Sequence, residues 1–283
     1  MSEQQKIGLV VVGDEILSGR RQDSHFNKVI QLLGDRGLQL SWARFLPDDL
    51  DVLTAEYKRS LASGEIVFSS GGIGATPDDK TREAMAAALG VELELNAEAS
   101  VLIQERMQDL AKQGIGSPDL GTPENQRRLA MGVFPVGAEI VPNPYNKIPG
   151  FYIQNHTFVP GFPEMAWPMI EWTLDTRYKH LHNMKPPTVK SIIVYSIPES
   201  RLTPALEHIE SKWDEVTTFS LPTVSRDGKP PFIDVGVKGY SPFVDEAFDY
   251  LRGAILRVGG RFHPASSSIP APQPTSLSPS RKL

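Results

Sequence analysis

Residues 69–79 read SSGGIGATPDD: glycines at 71, 72 and 74 among hydroxyl side chains, then two adjacent carboxylates. Glycine adopts backbone conformations that let several N–H groups converge on one point, the usual way a short loop holds phosphate. Adjacent aspartates repel an anion and attract a cation. A divalent cation carried by a phosphorylated ligand satisfies both, since Mg2+ takes one or two carboxylates together with phosphate oxygens. Gly71, Gly72, Gly74 and Thr76 are therefore candidate ligand contacts, and Asp78 and Asp79 are candidate metal ligands.

Similar junctions recur along the chain. Gly13, Asp14 and Glu15 end the apolar run of KIGLVVVGDEIL, and Asp48 and Asp49 follow SWARFLP. Each also has a plain structural reading. Glycine suits a tight strand-to-helix turn, acids in the first turn of a helix complement its dipole, and Pro149–Gly150 and Pro160–Gly161 punctuate turns. The glycine loop matches neither the P-loop nor the G-x-G-x-x-G pattern. Histidines 25, 156, 180, 182, 208 and 263 show no metal-ligand spacing, and the pair at 180 and 182 is expected to face solvent. No G-x-S-x-G elbow or serine triad can be assembled.

The elements that must position these residues follow from periodicity. Ile7–Val12 is a continuous apolar run, the mark of a strand buried on both faces. Phe26, Val29, Ile30 and Leu33 recur at helical spacing, LQLSWARF reads as a second strand, and Leu50, Leu53, Tyr57 and Leu61 mark a second helix. EIVFSS is a third strand running into the glycine loop. TPDDKTREAMAAALG then predicts a helix with Thr76 as its cap, Pro77 in its first turn and Gly90 at its stop. Helix is expected from about 97 to 131 with an interruption, a short strand at GAEIVPNP, a hairpin turning near Asn155 and His156, and a closing helix from Pro163. This alternation argues for an α/β layered domain. If the first three strands are parallel neighbours, the three acidic pairs share one edge of the sheet.

Residues 1–181 are read as this domain, 182–188 as a linker, and 188–262 as a small α+β domain of order βαββα. Residues 263–283, rich in proline and serine, are expected to be disordered. No cysteine is present, which excludes thiolate nucleophiles, disulfides and thiolate metal sites. A net charge of −5 argues against nucleic-acid binding, and no apolar run is long enough to span a membrane. With no signal-peptide pattern in MSEQQK, the expected location is cytoplasmic.

GDEILSG, SSGGIGATPDD with Thr81, NPYNKIPG and PGFPEM together resemble the MoaB/Mog molybdopterin-binding fold. The likeness is closest to the branch of the CinA N-terminal domain and the molybdopterin-binding-like domain of eukaryotic FAD synthase, over about residues 5–178. SIPESRLTPALEHI more weakly resembles the small domain that follows in CinA relatives. The resemblance implies a doubly wound α/β/α sandwich with a ligand site at the strand C-termini, in a homo-oligomer (dimer or trimer). It implies one of two activities: binding molybdopterin, with or without adenylyl transfer, or metal-dependent (Mg, Mn or Co) pyrophosphatase action on ADP-ribose or a related dinucleotide. A catalytically inactive ligand-sensing module is a further alternative.

Carried over by motif, Gly71, Gly72, Gly74, Thr76, Asp78, Asp79 and Thr81 form the ligand loop. Gly13, Asp14, Glu15, Asp48, Pro149, Gly150, Pro160 and Gly161 surround it. In the enzymatic reading Asp14 or Asp48 positions water, and Asp78 or Asp79 holds the metal. The chain departs from the family pattern in having Ala75 for proline, His25 for asparagine, and Asn146–Lys147–Ile148 before Pro149. A deamidase domain and an FAD-synthesising domain are not expected in this chain.

Overall fold

The computed structural model describes residues 5–182, 187–224, 230–239 and 242–263. The chain divides into two compact units, residues 1–184 and 185–283. Most of the expected linker, and residues 264–283 of the expected tail, lie outside the described residues.

In the first unit the elements run β1 (Ile7–Val12), α1 (Asp14–Leu17), α2 (His25–Gly34), β2 (Trp42–Leu46), α3 (Leu50–Ser63), β3 (Ile66–Ser70), α4 (Thr81–Leu89), β4 (Leu93–Leu95), α5 (Ala97–Lys112), α6 (Pro123–Ala130), β5 (Val133–Pro135), β6 (Glu139–Val141), β7 (Gly150–Ile153), β8 (His156–Val159) and α7 (Pro163–Thr176). The main sheet has the order β2-β1-β3-β8-β7-β6. β2, β1, β3 and β8 are parallel; β7 and β6 run antiparallel at one edge.

All six residues of β1 are buried because helices cover both faces of the sheet. Leu9 and Val11 face the layer with Val29 and Leu33 of α2 and Met169 and Ile170 of α7. Val10 and Val12 face the opposite layer, with Leu53 and Tyr57 of α3 and Met85 of α4. Adjacent strand residues thus feed two cores, and the unit is a doubly wound α/β/α sandwich. The chain passes from β1 to β2 on one side and returns to β3 on the other. The strand order therefore reverses between β1 and β3, the position at which open sheets leave a crevice for ligands.

Three features of this unit differ from the reading of the sequence. The helix expected from Thr76 starts at Thr81. Asp79 turns back onto the amides before it, so residues 74–79 fold as a turn and Asp78 and Asp79 precede the helix. A two-stranded sheet of β4 and β5 lies beside the main one; strands of three residues are too short to show a period. His182 is not solvent-facing: its Nε2 donates to the Leu174 carbonyl at 3.0 Å and its side chain is 17% exposed.

In the second unit, β9 (Thr188–Tyr195), α8 (Thr203–Lys212), β10 (Val216–Pro222), β11 (Ile233–Gly239), α9 (Val244–Arg257) and β12 (Arg261–His263) form an antiparallel sheet of order β10-β11-β9-β12 with two helices. Ile192, Val194, Val235 and Val237 alternate along β9 and β11 and pack on Ile209, Leu251 and Ile255. β12 is additional to the expected βαββα order; it closes the sheet beside β9. No helix among the described residues is long and apolar enough to cross a membrane.

Candidate functional site

The crevice between the ends of β1 and β3 is walled by the glycine loop. Gly71, at φ +103°, donates its N–H to Val159 O of β8 at 3.0 Å; a Cβ there would lie 2.3 Å from Val12 O. Gly72, at φ +69°, leaves room for the Thr81 side chain. Thr81 is fully buried: its Oγ1 donates to Gly71 O and its N–H to Gly72 O, each at 3.0 Å. The glycines at 71 and 72 are thus demanded by close backbone approach.

Asp79 closes the loop from within. Its Oδ1 accepts the Gly74 N–H at 2.7 Å, and its Oδ2 accepts the Thr76 N–H at 2.9 Å and the Thr76 hydroxyl at 2.5 Å. From the other side buried Arg82 donates to Ile73 O at 2.9 Å, to Gly74 O at 2.6 Å and to Met131 O at 3.4 Å. The adjacent carboxylates therefore divide: Asp79 anchors the loop and Asp78 stays exposed to solvent. The amides of Gly72, Ile73 and Ala75 donate to no acceptor among the described residues.

The acids meet at this crevice. The Asp14 N–H donates to Asp48 Oδ2 at 2.9 Å, and the Gly13 N–H to Leu46 O at 3.0 Å, which ties β1 to β2. Burial raises the Asp48 carboxyl above the usual carboxylate range, and the charges of Asp14, Glu15 and Asp78 push it further, against the lowering effect of the Asp14 hydrogen bond. Asp49 is not part of this group; it caps α3 by accepting the Val52 N–H at 2.9 Å.

Pro160–Gly161 approaches from β8. A Cβ on Gly161 would lie 3.6 Å from Gly71 Cα. The Gly161 carbonyl accepts from His25 Nε2 at 3.2 Å, and Ser70 Oγ lies 3.2 Å from the same nitrogen while donating to Pro160 O. Since a carbonyl only accepts, Nε2 carries the hydrogen and Nδ1 is left as a buried acceptor without a partner. Burial lowers the His25 proton affinity, so the ring is neutral at pH 7. A cavity of about 20 Å³, room for about one water molecule, is lined here by residues that include Glu15, Arg21, His25, Ser70 and Gly161.

Pro149–Gly150 lies one strand further out. Gly150 is buried at the start of β7, where a Cβ would meet Phe158 O at 2.1 Å, so close strand packing accounts for it. Lys147, in the turn before Pro149, pairs with Asp109 at 2.9 Å and Glu105 at 3.2 Å. Sequence reasoning passed over Arg21, which lies in no motif, and quoted Ser70 only as part of the glycine-loop stretch. It noted His25 only as a departure from the family pattern, without foreseeing its burial at the site.

Residues 8–180 match the family model described as "Probable molybdopterin binding domain". A protein of Caldivirga maquilingensis is 30% identical over 206 residues, covering 71% of this chain and 75% of that one. A CinA-like protein of Anaeromyxobacter dehalogenans is 30% identical over 72% of this chain, but this chain spans only 48% of its length. Among solved structures, that described as the protein CinA with unknown function from Thermoplasma acidophilum superposes with a TM-score of 0.51. Its identity is 25%, and the match covers 60% of this chain and 98% of that one. The matched span coincides with the sandwich and carries the glycine loop, the acids and the Pro160–Gly161 turn, and the chain belongs to the MoaB/Mog–CinA family of molybdopterin-binding domains.

Proposed function

We propose that the first unit binds a phosphorylated ligand, a phosphorylated pterin or a nucleotide diphosphate, in the crevice between β1 and β3. The observation that carries this reading is the double anchoring of the glycine loop by Asp79 and Arg82. A loop held on both sides meets its ligand without first losing conformational freedom, and its remaining amides are set to receive phosphate oxygens. Titration of the protein with molybdopterin and with ADP-ribose, each with and without Mg2+, tests it. Saturable one-to-one binding of either supports the reading; no heat from either at millimolar ligand overturns it.

A second reading, metal-dependent pyrophosphatase action on ADP-ribose or a related dinucleotide, draws on the crowding around Asp48. Asp14, Glu15 and Asp78 all lie near enough to act on the Asp48 charge, and a divalent cation would relieve that repulsion. Among the described residues no three His, Asp or Glu side chains are arranged as a ready-made cage. A cation there would be shared with ligand phosphate, as Mg2+ prefers, with one or two of Asp14, Asp48 and Asp78 as its protein ligands; it would offset charge on the phosphoryl oxygens. Asp79, with both oxygens occupied, has little left for it. Hydrolysis of ADP-ribose, FAD or NAD that needs Mg2+, Mn2+ or Co2+ and stops with EDTA supports this reading. Binding without turnover would leave the unit a carrier or sensor of its ligand.

A further inference from the structure

The crevice has an acidic side, and two of the cations near it are already engaged. Arg82 spends its N–H groups on carbonyls, and Lys147 is paired with acids of α5. Arg21 differs from both. Its N–H donates to Glu15 O at 3.0 Å, a turn that brings the chain back to the end of β1. Its side chain is exposed and pairs with no carboxylate among the described residues, whereas Arg36, Arg44, Arg59, Arg128 and Arg177 each have one. Nearby Asp23 forms no ion pair with it; the two Asp23 oxygens accept the first amides of α2, from His25 and Phe26, each at 3.0 Å.

Arg21 rests instead over Phe162, with its guanidinium carbon 5.4 Å from the ring centroid. Phe162 follows Pro160–Gly161 directly and is 52% exposed, so its ring is open to a neighbouring side chain. An aromatic face holds a guanidinium in place without neutralising it, which leaves the planar donor fork free for an anion. Arg21 lines the same cavity as Glu15, Ser70, Gly161 and the buried, half-satisfied His25. Glu15 also belongs to the acidic group around Asp48. Cation and acids thus adjoin across one residue, with the acids toward β2 and the cation toward β8.

We infer that Arg21, braced on Phe162, is the clamp that receives the phosphate of the ligand. The inference rests on the phosphorylated-ligand reading and assigns a residue to it. The guanidinium donates two parallel N–H bonds to phosphate oxygens, a geometry lysine cannot reproduce. Molybdopterin and ADP-ribose share this phosphate chemistry, and the two differ in carrying one phosphate or a diphosphate.

The test is calorimetric titration of the full chain with each of the two ligands in Mg2+, comparing the unaltered protein with Arg21→Gln, Arg21→Lys and Phe162→Leu. Binding tenfold or more weaker in Arg21→Gln is expected, with a shallower dependence on salt. Arg21→Lys recovers only part of the loss, Phe162→Leu weakens binding several-fold, and all three melt with the unaltered protein because both side chains are exposed. Whichever ligand shows the loss identifies the phosphate source. If the unaltered protein binds and Arg21→Gln binds equally well, this inference fails while the ligand reading stands. If the unaltered protein binds neither ligand, both fall together.

Discussion

The N–H of Asp14 donates to the carboxylate of Asp48 at 2.9 Å, so the end of β1 is fastened to the loop after β2 by one of the acids of the crevice itself. That carboxylate is held above its ordinary range by burial and by its acidic neighbours. A carboxyl raised on folding contributes stability that is present below its unfolded value near 3.8 and is lost as pH rises through its folded value. At neutral pH the charge is therefore a cost. Asp48→Asn keeps an oxygen for the Asp14 N–H and removes that charge. It is expected to stabilise the protein by about 0.5 kcal/mol, the scale of screened charges near a surface. Mg2+-dependent ligand binding should weaken at the same time. A lower melting temperature together with unchanged binding would remove Asp48 from the site.

Asp79→Ala frees the amides of Gly74 and Thr76 from their only acceptor among the described residues. Loss of charge-assisted bonds in a half-buried loop is expected to cost about 2 kcal/mol, read from the midpoint of urea unfolding. Hydrogen exchange of residues 72–76 should accelerate while the core strands stay protected. Unchanged exchange in this segment would show that the loop holds its shape without Asp79.

Gly71→Ala tests the close approach of the loop to β1. The added methyl group would meet Val12 O at 2.3 Å, in a backbone conformation of φ +103° that side chains rarely adopt. A loss of about 3 kcal/mol is expected. The same substitution at Gly19, also at positive φ but with open space around its Cβ, should cost about 1 kcal/mol. Equal effects at the two positions would rule out the contact with Val12 as the cause.

Stability should fall in mild acid. His25 and His156 are both held below the ordinary imidazole value by burial. A group depressed on folding contributes stability that is complete above its unfolded value, about 6.5, and is lost as pH falls below it. The melting temperature is thus expected to drop between pH 7.5 and pH 5.5. His156 lies 2.7 Å from Ser60 Oγ and 2.7 Å from Gln154 O, wholly inside the core. His156→Gln should therefore flatten this drop whatever it does to stability at pH 7.5. An equally steep drop in the variant would place the pH dependence elsewhere.

The sequence by itself determined the layered α/β architecture and the positions along the chain of the strands that frame the crevice. Ile7–Val12 is apolar at every position because helices cover both faces of its sheet, and that run is visible without any structure. The glycines at 71 and 72 were legible for a similar reason: a tight approach of backbones leaves glycine as the residue that fits. The sharing of one sheet edge by the acids after β1, β2 and β3 was legible only on the condition that these strands are parallel neighbours, which the sheet supplies.

What only the tertiary structure decided is how the paired carboxylates divide and where the cation stands. Asp78 and Asp79 are identical side chains, one residue apart; which one turns inward depends on amides that the loop presents only after β3 has packed on β1 and β8. Arg21 and Phe162 are 141 positions apart and meet because β8 lies beside β3. Periodicity and local propensity describe neighbours along the chain. Contacts across strands depend on sheet order, and no local pattern records it.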